Sequence, residues 1–590
     1  MSRRLWEGGD MKKSYGVGLL ILFWPLFLWG QKVEVQEAVL ENGMKLLMVE
    51  RHESPTVACG WVARVGSVNE SPGITGISHL FEHMMFKGTK TIGTKDYEKD
   101  KAILEQQDKV RKAMEAEYSL LRVKLRKGEI SGSIYDPENA TPRLRELKAE
   151  LEKLYAQEKA NIVKDELDQI YTREGASGLN AFTTNDQTAY FVTVPANKLE
   201  LWFWLESDRL ANPVFREFYS ERDVVREERR MRVESTPIGK FEEQFEAMFW
   251  QSTPYHHPVV GWPADLESIT REQAEAYFAT YYAPNNITAV LVGDLQPEKA
   301  LELAKRYFGR LPRGPQEPPE VISEEIEQLA EKRFLAEAET NPKVVIRIPA
   351  VPFGHRDQYA LELAAALLNR RTGRLYKRLV EEKSIAVGEP FAGFRPMKYA
   401  GYFEVEAEVK EGVDPATVEQ ALWRELERLA QEPVGEKELQ KVKNQALADA
   451  FRRLQSNFFL LLQLMLYDSF GDWRFINEAP KKLQAVTAQD IQAVCSQLFK
   501  KEKRNVAIYL RKVGTMEDPE LQTFPAELRN RLKAQLARFN QVTDPEKLSQ
   551  VLAQMEQMSA QAPAQMQEAF AYLKKKVQER LSQLQQGKED

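Results

Sequence analysis

One order of segments occurs twice along this chain, on either side of the proline-rich stretch LPRGPQEPP at 311–319. Before it, KVEVQEAVLENGMKLLMVERHESPTVACGWVARVGSVNE alternates apolar and polar residues and is broken by ENG and ESP. That is the pattern of antiparallel strands and a hairpin. ITGISHLFEHMMF then takes helical spacing, and LNAFTTNDQTAYFVTVP returns to the Thr, Phe, Tyr and Val of a strand. KLELWFWLESDRLANP and EFYSERDVVREERRMRVES read as helices, and NNITAVLVGDL as a strand. After the prolines, KVVIRIPAV is a strand and DQYALELAAALLNRRTGRLYKRLVEEK is helical. GYFEVEAEVKEG alternates as a strand, ATVEQALWRELERLA is an amphipathic helix, and RNVAIYLRKVG closes as a strand. The expected architecture is α+β, in two halves of similar plan.

A charged stretch interrupts the first half. Its centre, RKGEISGSIYDPENATPRL, carries Gly128, Gly132, Pro137 and Pro142 and reads as a turn between two long polar helices. A helical hairpin insertion is therefore expected at about 96–174, its charges most simply a solvated face and, as the alternative, a partner-docking arm. Beyond about Thr515 the chain is helix-rich in Gln, Met and Ala. At the other end, from Met11, two lysines precede a nearly continuous apolar run from Gly16 to Trp29. That run suits the core of a secretory signal and is short for a bilayer span. The expected divisions are a leader or anchor at 1–30, a first half at 31–310, a linker at 311–330, a second half at 331–514 and a helical tail at 515–590. The implied location is exported, periplasmic or cell-surface, with membrane contact only if the leader is retained.

Composition narrows the chemistry. The net charge of −6 and the lack of a strongly basic domain argue against nucleic acid. Two distant cysteines, Cys59 and Cys495, make neither a disulfide framework nor a Cys-based zinc module and read as buried small hydrophobes. Six histidines exist, and two fall four apart in H-L-F-E-H: His79 and His83, with Glu82 between. Positions i and i+4 share a helix face, so both rings can point at one ion, and Glu82 can reach a water beside it. Zinc acidifies such a water and polarises a carbonyl, and a carboxylate can carry the proton to the leaving amine. The competing reading is a hydrogen-bonded pair of core histidines. His256 and His257, flanked by prolines, read as loop residues, and His52 and His355 stand isolated.

Two histidines usually take a carboxylate as third ligand. SERDVVREERRMR offers Glu221, Glu227 and Glu228. If Val224, Val225 and Met231 mark the apolar side, Glu221 and Glu228 lie near its centre and Glu227 swings away. Glu228 is the candidate ligand. Glu221, two turns earlier, is placed to orient a ligand or the water.

ITGISHLFEHMMFKGT, LNAFTTNDQTAYF, ERDVVREE, YYAPNNITAVLVGDL and GRLYKRLVEEKSIAVGE resemble, in this order, the pitrilysin/insulinase family of inverted-zincin metallopeptidases, which includes the mitochondrial processing peptidases. They span about Val33 to Val513. The resemblance implies two homologous halves, each a mostly antiparallel sheet packed with helices, enclosing a chamber. It implies one Zn²⁺ per chain on His79, His83 and Glu228, with Glu82 as general base. It implies that Asn180 and Ala181 bind substrate backbone at a sheet edge, where an extended peptide can add as a strand. The substrate class is an unfolded peptide or small protein.

Two departures stand out. The inserted hairpin puts His83 and Glu228 much farther apart in sequence than in typical members. And where active single-chain relatives carry Arg and Tyr to hold the carbonyl and the tetrahedral intermediate, this chain has Val380 and Val387, which donate no side-chain hydrogen bond. Some relatives divide the labour between subunits. The chain is therefore expected to be the zinc-bearing subunit of a pair whose homologous partner supplies Arg and Tyr. The alternative is a non-catalytic, peptide-binding scaffold subunit of the same fold.

Overall fold

A computed structural model of the chain describes residues 32–512 and, of the tail, 519–525, 528–529, 531–532, 535–536, 539, 544–560 and 564–586. The leader expected at 1–30 lies outside these residues. Among the described helices, none is long and apolar enough to cross a membrane.

The first sheet comprises β1 (Gln36–Val39), β2 (Lys45–Glu50), β3 (Thr56–Ala63), β4 (Ser177–Thr183), β5 (Thr188–Pro195) and β6 (Ile287–Gly293). Its order is β1-β2-β6-β3-β5-β4. Strand β2 runs parallel to β6, while β3 is antiparallel to both β6 and β5. The second sheet comprises β7 (Lys332–Ala338), β8 (Lys343–Ala350), β9 (Ala386–Pro396), β10 (Gly401–Val409) and β11 (Asn505–Arg511), in the order β7-β11-β8-β10-β9. Matching β7 to β2, β11 to β6, β8 to β3, β10 to β5 and β9 to β4, the two orders coincide. In each, a strand from the end of the half inserts between the first two long strands. The α+β expectation holds, with both sheets packed by helices.

The central strand β3 shows how the layers form. Val57, Cys59, Trp61 and Ala63 enter one core, and Ala58 and Val62 enter another on the opposite face. Both faces are thus apolar, as expected of a strand covered on two sides. The first core is closed by α1 (Ile77–Met84), α5 (Leu199–Ala211) and α6 (Phe218–Arg229). The second is closed by a helix from the other half, Asn457–Phe470, through Leu460, Leu461, Leu464 and Met465. Gly60 of β3 sits under it: a Cβ there would stand 2.7 Å from Tyr190 O and 3.1 Å from Met465 Cε. Lys45 and Thr288 of the first sheet bind Asp468 of this helix at 2.8 and 2.6 Å.

The exchange is mutual. Helix α7 (Gly239–Phe249) of the first half packs on the second sheet. Phe245 faces Phe334 of β7, Phe249 meets Tyr402 of β10 edge-on, and the Arg347 guanidinium of β8 lies over Phe245, Phe249 and Tyr402. Each half therefore supplies a helix to the other's sheet.

Between α1 and β4 stand α2 (Tyr97–Arg126), α3 (Pro142–Asn161) and the short α4 (Glu166–Arg173). Helices α2 and α3 form a hairpin with its own core. Val110, Met114, Tyr118 and Leu121 of α2 meet Leu144, Leu147, Leu151 and Leu154 of α3, spaced three and four apart on one stripe of each helix. Asp96 caps α2 through the Lys99 amide, and Thr141 caps α3 through the Leu144 amide. The charge run is not wholly a solvated face: Asp100, Gln107, Glu158 and Asn161 at the hairpin's base are buried.

A second compact unit, Leu335–Lys343 with Ile508–Asp590, has its own core, including Leu521, Leu548, Tyr572 and Val577 on helices such as Pro545–Ala560 and Ala564–Gln586.

Candidate metal centre

Helix α1 starts at a left-handed Gly76, φ 91°, where a Cβ would meet Val260 O at 2.6 Å, so glycine fits and other residues do not. The buried Glu70 closes its first turn, accepting from the Gly76 amide at 2.7 Å and the Ser78 amide at 2.8 Å. Burial lifts the Glu70 carboxyl to about 8, against the pull of those donors. Ile77, Leu80, Phe81 and Met84 anchor one side of α1 in the first core. The other side carries His79, Glu82 and His83.

Helix α6 crosses beside it. Glu228 Oε1 lies 3.7 Å from His79 Nε2, and Glu228 Oε2 lies 3.4 Å from His83 Nε2. One ligand atom from each of the three residues falls within 4.8 Å of the others, which makes His79, His83 and Glu228 a candidate metal-binding group. The Glu221 carboxylate is 3.4 Å from His83 Nδ1, on the far side of that ring, and is itself held by Lys87. Glu227 turns outward onto Arg230. The arithmetic that separated the three glutamates thus gives the observed directions, but one of its premises is corrected. Val224 and Met231 are 48% and 57% exposed, and α6 is anchored instead by Phe218, Tyr219, Arg222 and Val225. Val224 lies on the flank of α6 turned away from the core, and Met231 lies beyond α6, in the π-helical segment Arg230–Glu234.

The charges around the group are mixed, with Arg232 pairing to Glu228 Oε1 at 2.8 Å. Burial lowers the His79 imidazole to about 4, leaving the ring neutral with a lone pair to donate. Burial also pulls His83 down, but the hydrogen bond and charge of Glu221, with Glu228 and Glu82, raise it overall. Glu221 is raised by burial and brought below its ordinary value by His83 and Lys87. Burial raises Glu82, opposed by the Thr183 hydroxyl on β4 and by His83. A structural core histidine would be hydrogen-bonded. Here the buried His79 Nδ1 has no such partner among the described residues, and the 3.7 Å from Nε2 to Glu228 exceeds a hydrogen bond. Two imidazoles and a carboxylate make the donor set of a zinc site with an open position, so these residues fit the ion.

Asn180 and Ala181 lie on β4, the last strand of the first sheet, beside α1. Asn180 is exposed, pairs with Phe191 and accepts the Ala181 amide on its own side chain. Val380 falls in the π-helical segment Tyr376–Glu382, and Val387 on β9 is 37% exposed. Cys59 and Cys495 are both buried and unpaired. His257 is buried 3.8 Å from Glu70. Sequence reasoning missed Lys87, which bridges Glu217 and Glu221, and Glu70, which ties down the start of α1. Lys87 had a weak signal, lying four residues beyond His83, although the helix itself ends at Met84. Glu70 had none.

Comparison with known proteins bears on the family and the fold. Residues 45–114 and 142–261 match the model of "Insulinase (Peptidase family M16)", and residues 268–446 match "Peptidase M16 inactive domain". Together these cover more than half of the chain. A relative, the zinc protease PqqE of Helicobacter pylori, is 24% identical over 489 residues, covering 81% of this chain and 92% of that protein. The crystal structure of a Helicobacter pylori protease superimposes with a TM-score of 0.65 at 21% identity, over 81% of this chain and all of that one. The periplasmic protease PqqL of Escherichia coli gives 0.60 at 17% identity, over 83% of this chain and 49% of that one. The chain belongs to the insulinase (M16) family of peptidases. Its relatives are zinc proteases, and His79, His83 and Glu228 form its candidate metal site.

Proposed function

We propose that this chain is a zinc metalloendopeptidase that hydrolyses unfolded peptides or small proteins, with one zinc ion on His79, His83 and Glu228. The observation that carries the reading is the meeting of these three side chains, drawn from two helices, with Glu82 on the same turn of α1. Zinc held there would acidify the attacking water and polarise the scissile carbonyl. Glu82, a carboxyl raised by burial, takes the proton and hands it to the leaving amine. Glu221 fixes the His83 ring through Nδ1, and Lys87 fixes Glu221. The free edge of β4 at Asn180 and Ala181 pairs with the substrate backbone and brings the peptide bond toward Glu82.

The transition-state donors come from a second subunit in this reading. Val380 and Val387 offer none, and a homologous partner carrying Arg and Tyr supplies them. The apolar run at Gly16–Trp29 and the periplasmic setting of PqqL favour export, with the pair working in the periplasm or at the cell surface. The valines also favour the alternative, a peptide-binding scaffold subunit without catalysis. Three measurements separate the readings. Purified chain should hold about one zinc, and a chain that holds none rules out the peptidase. Glu82→Gln should keep zinc and lose cleavage by about 10³-fold. Mixing with a homologue that keeps Arg and Tyr should raise cleavage, and equal rates with and without it rule out the divided site.

A further inference from the structure

We infer that the hairpin α2–α3 sets the spacing of the two helices of the metal centre, with Glu158 as its positioning residue. The inference rests on the zinc reading above. His79 and His83 come from α1 and Glu228 from α6, and the hairpin lies between these helices in sequence. Along most of the hairpin the polar residues face solvent. Only at its base are four buried polar groups gathered, and each touches the exit of α1, the entry of α6 or another member of the set.

The contacts are specific. Glu158 Oε1 accepts the Glu217 amide at 2.7 Å, and its Oε2 accepts Gln107 Nε2 at 2.7 Å. Glu217 is the residue from which α6 starts, and it is held in the left-handed region at φ 55°. That conformation is rare for a side chain of this size, so something must fix it. The Glu158 carboxyl also sits at the positive end of α6, where negative charge is favoured. One residue before Glu217, Arg216 pairs with the buried Asp100, which Asn161 holds from α3. The remaining Arg216 donors go to the carbonyls of Lys87, Ile92 and Thr89, in the segment that leaves α1. Lys87 then reaches Glu217 and Glu221. One buried network thus links the hairpin's base to both ligand-bearing helices. The family match covers 45–114 and 142–261, which include all four base residues and the whole of α3, and skips only 115–141 at the tip.

The test uses the full chain as wild type, Glu158→Ala, Glu158→Gln and Gln107→Leu. Zinc affinity is read by competition with a chromophoric chelator, and folding by circular dichroism. Glu158→Ala should bind zinc about tenfold more weakly, while Glu158→Gln, which keeps an acceptor for the Glu217 amide, should stay within about threefold of wild type. The Glu217 amide should exchange faster in the alanine variant only. A folded Glu158→Ala protein with wild-type affinity overturns the inference. If that variant does not fold, Gln107→Leu replaces it: a severalfold loss of affinity supports the inference, and an unchanged affinity overturns it. Wild type that binds no zinc removes the metal reading and this inference with it. Wild type that binds zinc, beside unchanged variants, removes only this one.

Discussion

The first half and the second half share a strand order and differ in one helix. In each, a helix follows the central strand: α1 after β3, and Gln358–Leu368 after β8. In the second half this helix is QYALELAAALL, and nine of its eleven residues are buried. A helix apolar all round is packing material. In the first half the corresponding helix is ISHLFEHM, whose second flank carries two imidazoles and a carboxylate toward α6. The comparison separates two kinds of information. The arrangement of strands and covering helices is written by periodicity and written twice. The chemistry is written once, in a handful of side chains on α1 and α6.

The largest effect should come from exchanging roles across this divide. His83→Ala should abolish zinc binding and peptide cleavage together, whereas Glu362→Gln, at the acid of the matching helix, should leave both within about twofold of wild type. Zinc content and peptidase assays on the two proteins check this, and equal damage from both would erase the distinction. The helix exchange comes next. Leu464→Ala on the helix over the first sheet and Phe249→Ala on α7 over the second should each cost about 3 kcal/mol. If each sheet depends on the other half, denaturant melts followed by probes in either half should coincide. Two separate transitions would show that the halves stand alone.

Glu70 gives a pH-dependent test in the first half only. Its carboxyl is raised to about 8 in the fold, while an unfolded glutamate titrates near 4.5. The folded state therefore holds a proton that the unfolded chain releases. The stability this contributes is complete below about 4.5 and is lost as pH rises through about 8. Glu70→Gln should flatten that fall by on the order of 2 kcal/mol, measured by denaturant melts at pH 5 and pH 8.5. An unchanged slope would mean that Glu70 is ionised in the fold. The smallest effect concerns the second half's silence. Val380→Arg with Val387→Tyr should raise cleavage by the chain alone by about tenfold, short of the two to three decades one oxyanion donor can be worth. No gain would place the missing donors elsewhere.

Much of this was legible in the residues. The doubled segment order gave the two halves, and i, i+4 spacing brought His79 and His83 together. The helical angle from Glu221 to Glu228 pointed both at the histidines and sent Glu227 outward. What was hidden is long-range. Val224 and Met231 look like a buried stripe by composition, because hydropathy does not know which flank of α6 meets the core or where that helix ends. Nothing local to Glu70 says that it closes α1, and nothing in the α2–α3 charge run distinguishes Glu158 from its exposed neighbours. The exchange of covering helices was equally hidden: Asn457–Phe470 is apolar enough to cover a sheet, but its sequence does not say which.

That exchange has a consequence for synthesis. All six strands of the first sheet have left the ribosome by Gly293, yet the helix that covers one of its faces begins at Asn457. At about 5–20 residues per second, the gap is roughly 8–30 s. During it, Leu47, Val62, Val290 and Val292 present a bare apolar surface. The second sheet has no such interval, because α7 is made before any of its strands. A chain truncated after the linker should therefore aggregate from that surface.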